Sequence, residues 1–163
     1  MADAATIKLE AKILPDAFKK TLTNLTFSVT PDSTEGWVVK VINVTNSSAD
    51  LLSTDAVIQS AGKASATEMA TAATGDSVKF LFIHNTATTD GSTGTARSVY
   101  ICFDGGTAAY NLATALEIPA GMSWYGKPNA TIANIHVCTG DANGSADGSG
   151  DIQCNVAAII DES

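Results

Sequence analysis

Charge is scarce in this chain of 163 residues. Asp, Glu, Lys and Arg make up 16% of it, against roughly 25% in an average soluble domain. Basic residues are the scarcer kind: nine Lys and Arg stand against seventeen Asp and Glu, a formal net charge of −8. The nine are scattered, with Lys19-Lys20 the one adjacent pair. A phosphate backbone is gripped by clustered cations, so direct nucleic-acid binding is not expected. An acidic chain is also repelled by anionic membranes. No apolar run approaches the roughly 18 to 20 residues that cross a bilayer, so no membrane partner is expected either.

Residues that carry chemistry are equally thin. There are two histidines, His84 and His136, and three cysteines, Cys102, Cys138 and Cys154, far apart in sequence. Each cysteine sits in an apolar run, where a thiol behaves as a small hydrophobe. The odd count argues against a disulfide framework. Ligand spacing for zinc is missing. So are the Gly-x-Ser-x-Gly elbow and the phosphate-cradling loop that ends in Lys-Ser/Thr. Paired carboxylates act through space, and nothing in the sequence singles out any acid. The expectation is a protein that is not an enzyme, with no catalytic residues, no metal ligands and no cofactor. The N-terminus, Met1-Ala2-Asp3-Ala4-Ala5, has neither the basic nor the apolar region of a secretory leader. Synthesis in the cytoplasm is therefore expected.

What the chain has is hydrophobic alternation, with 45% apolar residues overall. Ile7, Leu9, Ala11 and Ile13 alternate with Lys8, Glu10 and Lys12, the pattern of a half-buried strand. Leu25, Phe27 and Val29 alternate with Thr26, Ser28 and Thr30. Further strands are expected over Trp37–Val44, Val78–His84, Val99–Phe103, Ile132–Val137 and Ile152–Ile160. Asp104-Gly105-Gly106 signals a tight turn. Helical pattern is sparse. Asp16–Leu22 fits a turn or two, and Lys63–Ala73 reads as a short helix or an irregular loop. The fold class is all-β: a single antiparallel β-sandwich over residues 1–163, jelly-roll-like, with at most one or two short helices. Residues 1–6 are a candidate flexible arm.

Three polar stretches read as long surface loops: Ser60–Asp76, Thr86–Ala96 and Gly140–Gly150. The last two are expected as exposed hairpin tips. Oxygen side chains recur through Asp141–Asp151, as in calcium loops. Ala146 and Ile152 nevertheless fall where an EF-hand places its turn glycine and bidentate Glu. Five matches to the glycosylation sequon read as chance in a chain so rich in Asn, Ser and Thr. Aromatics are 6% of the chain, and the densest group lies in Gly121-Met122-Ser123-Trp124-Tyr125-Gly126. Alternation there places one of Trp124 and Tyr125 inside and the other at the rim. Met122, Trp124 and Tyr125, with Ile7 and Leu9 near the N-terminus, are the candidate interface residues.

The second half also resembles a family of small β-sandwich virion proteins of tailed phages, marine and cyanobacterial ones in particular. The likeness runs through Ser77-Val78-Lys79-Phe80-Leu81-Phe82-Ile83-His84-Asn85 and Ser98-Val99-Tyr100-Ile101-Cys102-Phe103-Asp104-Gly105-Gly106. It continues through Leu116-Glu117-Ile118-Pro119-Ala120-Gly121-Met122-Ser123-Trp124-Tyr125-Gly126 to the closing strand Gln153–Ile160. The resemblance implies a capsid decoration (cement) protein on the virion surface. Such a protein bridges subunits of a major capsid protein and assembles as a homo-oligomer, with a trimer favoured. A tail, neck or fibre component and a carbohydrate-binding module are the alternative readings.

Overall fold

The computed structural model describes residues 5–9, 25–29, 31, 34–52, 57–60, 69–140 and 151–161. Twelve strands run through them: β1 Ala5–Leu9, β2 Leu25–Val29, β3 Glu35–Val44, β4 Ala49–Asp50, β5 Val57–Ser60 and β6 Met69–Thr71, then β7 Ser77–Asn85, β8 Val99–Cys102, β9 Leu116–Ile118, β10 Ser123–Gly126, β11 His136–Cys138 and β12 Ile152–Asp161. A six-stranded sheet has the order β10-β7-β12-β3-β5-β6, and a four-stranded sheet has the order β4-β11-β8-β9. Strands β1 and β2 pair with each other as a separate two-stranded sheet. Every pairing is antiparallel. The all-β expectation holds, and helix among the described residues is limited to one 3-10 turn, Ile132–Asn134.

Alternation builds the core. β12 turns Ile152, Cys154, Val156 and Ala158 inward, beside Leu81 and Ile83 of β7 and Val38 and Val44 of β3. From the smaller sheet come Val99, Ile101, Ile118 and Val137, and all of these belong to one buried cluster. The two larger sheets therefore pack face to face as a sandwich. Among the described residues these two packed sheets hold ten strands. Removing each large aliphatic side chain from water contributes about 1.5–3 kcal/mol. A bulge between Ile159 and Ile160 lets both be fully buried.

Several local expectations change. Ile132–Val137 is not one strand: the 3-10 turn comes first, and the ladder starts at His136. The amide of Ile132 bonds to the Asp76 carbonyl and that of Asn134 to the Thr131 carbonyl, so those groups are spent outside any ladder. Within the expected Ser60–Asp76 loop, Met69–Thr71 forms β6 against β5. Thr86–Ala96 is not a hairpin tip, because β7 and β8 lie in different sheets. Its Thr88–Gly94 bridge folds the loop on itself as it crosses. β11 lies in the smaller sheet and β12 in the larger. Residues 141–150 between them, with the calcium-like loop, fall outside the described residues, as do Asp16–Leu22.

Residues 103–115, between β8 and β9, form a strap over the outer side of the small sheet. Gly105 N donates to Asn134 O (3.0 Å) and Tyr110 N to Gly140 O (2.9 Å). Ala108 N donates to Ser48 Oγ at 2.9 Å. Ala108 and Ala109 are fully buried, small enough to let the strap lie close to the sheet. The expected turn at Asp104-Gly105-Gly106 opens it: Asp104 Oδ1 accepts from Gly106 N, and Gly105 takes φ +78°, open to glycine at little cost.

Candidate association surface

The pleat puts every second residue of the six-stranded sheet on its outer face. Register aligns these residues in rows. Val39 faces Ala157, Ala157 faces Phe82, and Phe82 faces Tyr125. The next row is Val41, Asn155, His84 and Ser123. Val39 is 76% exposed and Val41 59%, the highest values among the exposed large hydrophobics. Phe82, Tyr125 and Ala157 are half-buried. His84 Nδ1 and Ser123 Oγ share a hydrogen bond of 2.9 Å, which satisfies the polar corner of the face. None of these eight positions carries Asp, Glu, Lys or Arg.

The rest of the face is different. One row along, Trp37, Ile159 and Phe80 align, with the Trp37 and Phe80 rings edge to face at 6.3 Å. Ile159 and Phe80 are buried. Beyond them comes a charged rim, where Lys79 Nζ meets Asp161 Oδ2 at 2.9 Å and Thr34 Oγ1 donates to Asp161 Oδ1. Apolar exposure is thus concentrated in the middle of the face, around Val39 and Val41.

The sequence-derived candidates are divided between several places. Tyr125 lies on the exposed face, opposite Phe82. Trp124, opposite Ile83, turns to the core side and packs its ring 5.1 Å from Phe103. The pair therefore splits inside and out along the strand. A Cβ on Gly126 would stand 3.1 Å from the Trp124 ring, so glycine there makes room for the indole. A sugar platform needs a free indole face, and this indole is engaged by Phe103 and the core. Met122 is 56% exposed on the turn before β10, and its carbonyl accepts from Asn85 N. Ile7 and Leu9 lie on β1, in register with Phe27 and Leu25 of β2. Val39 and Val41 were not singled out by sequence. Their run of β-branched residues reads as a strand buried on both faces, and only the position of its neighbours reveals an open one.

The second polar concentration surrounds His136. Its Nε2 stands 3.1 Å from Asp50 Oδ1, and its Nδ1 stands 2.7 Å from the Gly106 carbonyl. The ring thus joins β4, β11 and the strap. Across the ladder from His136 is Cys102, whose thiol donates to Asp104 Oδ1 at 2.9 Å. Burial, then that carboxylate, push the Cys102 thiol above its ordinary range, the reverse of what activates a nucleophile. The contact lowers Asp104 in turn, its first cause being the thiol bond. The chemistry of this group is that of a fastener for the strap. All three cysteines are free and buried, as the apolar runs around them imply.

Asp90 organises the tip of the 86–96 crossing. Its carboxylate accepts from the amides of Ser92 and Thr93 and from both their hydroxyls. These bonds, the Thr93 amide first, lower its pKa to about 2. A lowered carboxylate stabilises the fold above its unfolded pKa, and the effect is lost as pH falls through the folded value. Amide exchange at Ser92 and Thr93 is therefore expected to stay slow down to about pH 2. In Asp90→Ala the protection of both amides, relative to an unstructured peptide at the same pH, should be lost, and unchanged protection in that variant would refute the role.

Among the described residues, no group of three His, Cys, Asp or Glu is placed to hold a metal ion. Among the same residues, no helix is long and apolar enough to cross a membrane. No family model, curated protein or solved structure matches the chain.

Proposed function

We propose that the protein is a non-enzymatic structural component of a phage particle, a decoration or cement protein that stabilises the head by bridging capsid subunits. The observation that carries this reading is the acid-free, apolar middle of the outer face, with Val39 at 76% and Val41 at 59% exposure, on a chain of net charge −8. Exposed clusters of this kind on a soluble domain mark surfaces that meet a partner. The all-β frame and the resemblance of residues 77–160 to small virion proteins add to it. The partners in this reading are the major capsid protein and further copies of the chain, in a trimer, at the virion surface.

Immunogold labelling and mass spectrometry of washed particles from the producing culture test the proposal. The expected result is stoichiometric label on heads, and heads stripped of the protein should disassemble at lower temperature. Label confined to tails would select the tail or fibre reading. Absence from washed particles would overturn the virion role altogether.

A further inference from the structure

His136 meets an acceptor at each nitrogen of its ring. Nδ1 stands 2.7 Å from the Gly106 carbonyl on the strap, and Nε2 stands 3.1 Å from Asp50 Oδ1 on β4. A carbonyl oxygen and an ionised carboxylate have no proton to give. Only the imidazolium, with a proton on both nitrogens, satisfies the two at once. The neutral ring carries one proton, so one of the acceptors then faces a lone pair.

The charges around the ring act in the same direction. Asp50 faces it from β4. From the strap, Asp104 is near enough for the charge of the ring to act on its carboxyl. Cys102 of β8 lies across the ladder, and its thiol, held up by burial and by Asp104, stays neutral. Residues 99–118 and 130–140 and the β4 pair Ala49-Asp50 hold no Lys or Arg. Among these elements His136 is therefore the one group able to answer Asp50 and Asp104 with a positive charge.

We infer that His136 is a pH-sensitive latch on the strap, closed while the ring is protonated and released at Gly106 when it becomes neutral. Histidine is the side chain whose charge ordinarily changes between about pH 5 and 8. On losing a proton the ring keeps its bond to Asp50, because a carboxylate attracts the remaining N–H more strongly than a neutral carbonyl does. Nδ1 then turns a lone pair on the Gly106 oxygen, and the carbonyl moves away. The latch holds at the acidic end, and its hold is lost as pH rises through the titration of the ring. Release is confined to the first part of the strap. Ala108 N stays on Ser48 Oγ, the Cys138 thiol on the Ala108 carbonyl and Tyr110 N on Gly140 O, and none of these groups titrates with the ring. The part that moves is the exposed turn Asp104–Gly106, tied back by Gly105 N on Asn134 O. Beneath it lies the Cys102 thiol, which donates to Asp104 Oδ1. The latch belongs to the small sheet of a single copy, and it stands or falls independently of the particle reading.

NMR on the purified full chain is the experiment. The ring nitrogens of His136 and the backbone amide exchange are followed in the same samples from about pH 5 to about pH 9. Protection is taken relative to an unstructured peptide at the same pH. Both ring nitrogens should carry protons at the acidic end. Protection at Gly105 should fall roughly tenfold as the ring titrates, the loss of one hydrogen bond from a charged donor. Protection at Tyr110 should stay constant. Asp50→Asn changes one exposed side chain. Its amide accepts from the imidazolium or donates to the neutral ring, so Nδ1–H stays on Gly106 and the step at Gly105 should disappear. A ring that does not titrate in this range would overturn the latch. So would Gly105 protection that does not follow the ring, or the same step in Asp50→Asn.

Discussion

Asn85→Asp is expected to destabilise the fold by about 4 kcal/mol, although it exchanges one amide for an isosteric carboxyl. Asn85 is fully buried at the end of β7. Its Nδ2 donates to the carbonyls of Arg97 (2.8 Å) and Ile118 (3.1 Å). Its Oδ1 accepts from Ala87 N at 2.9 Å, next to a backbone held at φ +58°. Its own amide and carbonyl bond to Met122 and Gly121. One side chain thus ties the end of β7 to the crossing loop, to the start of β8 and to β9, while its backbone holds the turn before β10. Aspartate keeps the acceptor and replaces the donor with an oxygen facing two carbonyls. Burial and that repulsion favour the protonated acid, so the damage grows as pH rises above the ordinary carboxyl range of about 4. Asn85→Ala should cost less, about 3 kcal/mol, since it strands the partners without adding a charge. Urea unfolding at pH 4 and pH 7 measures both. A loss below about 1 kcal/mol at pH 7, or no growth with pH, would refute the account.

The same residue shows where sequence reading stops. Alternation places β2, β3, β7, β8 and β12 well, because a strand's period is local and its apolar content high. It cannot show that β7 and β8 belong to different sheets, since partners are chosen at long range. Hence Thr86–Ala96 reads as a hairpin although it is a crossing, and Asn85 reads as a strand end although it is a hub. The short strands β4 and β6 have two and three residues, too few for a period to register. Ile132–Asn134 has the β-branched and apolar character of a strand start but spends its amides in a turn. For the candidate surface, the parity of the strand separates Trp124 from Tyr125 but does not say which of them faces out. Val39 and Val41 were not legible, since a β-branched run looks the same whether one face is covered or two.

Raising the pH from 7 to 11 should cost the wild-type protein roughly 3 kcal/mol more than it costs Cys154→Ala. Cys154 has no exposure, and it sits between Ile42 of β3 and Asn85 of β7 in the middle of the larger sheet. Burial alone pushes its thiol up to about 12, from an ordinary value of 9.0. In the unfolded chain the thiol loses its proton near the ordinary value, while in the fold it keeps it. Between those two limits the unfolded state binds fewer protons, so stability falls as pH rises, by about 1.4 kcal/mol per unit once the lower limit is passed. Below that limit the two states bind alike and the term vanishes. At pH 7 Cys154→Ala should be the weaker protein by about 1–2 kcal/mol, from the small cavity it leaves. Near pH 10 to 11 the order should reverse, because the variant has no thiol there to ionise. Cys102 and Cys138 remain in both proteins, so the difference isolates Cys154. Urea midpoints of the two proteins across this range decide the matter. Curves that stay parallel would show that the thiol ionises in the fold as easily as in water, and that the strand pairing on either side of it opens far more readily than its burial implies.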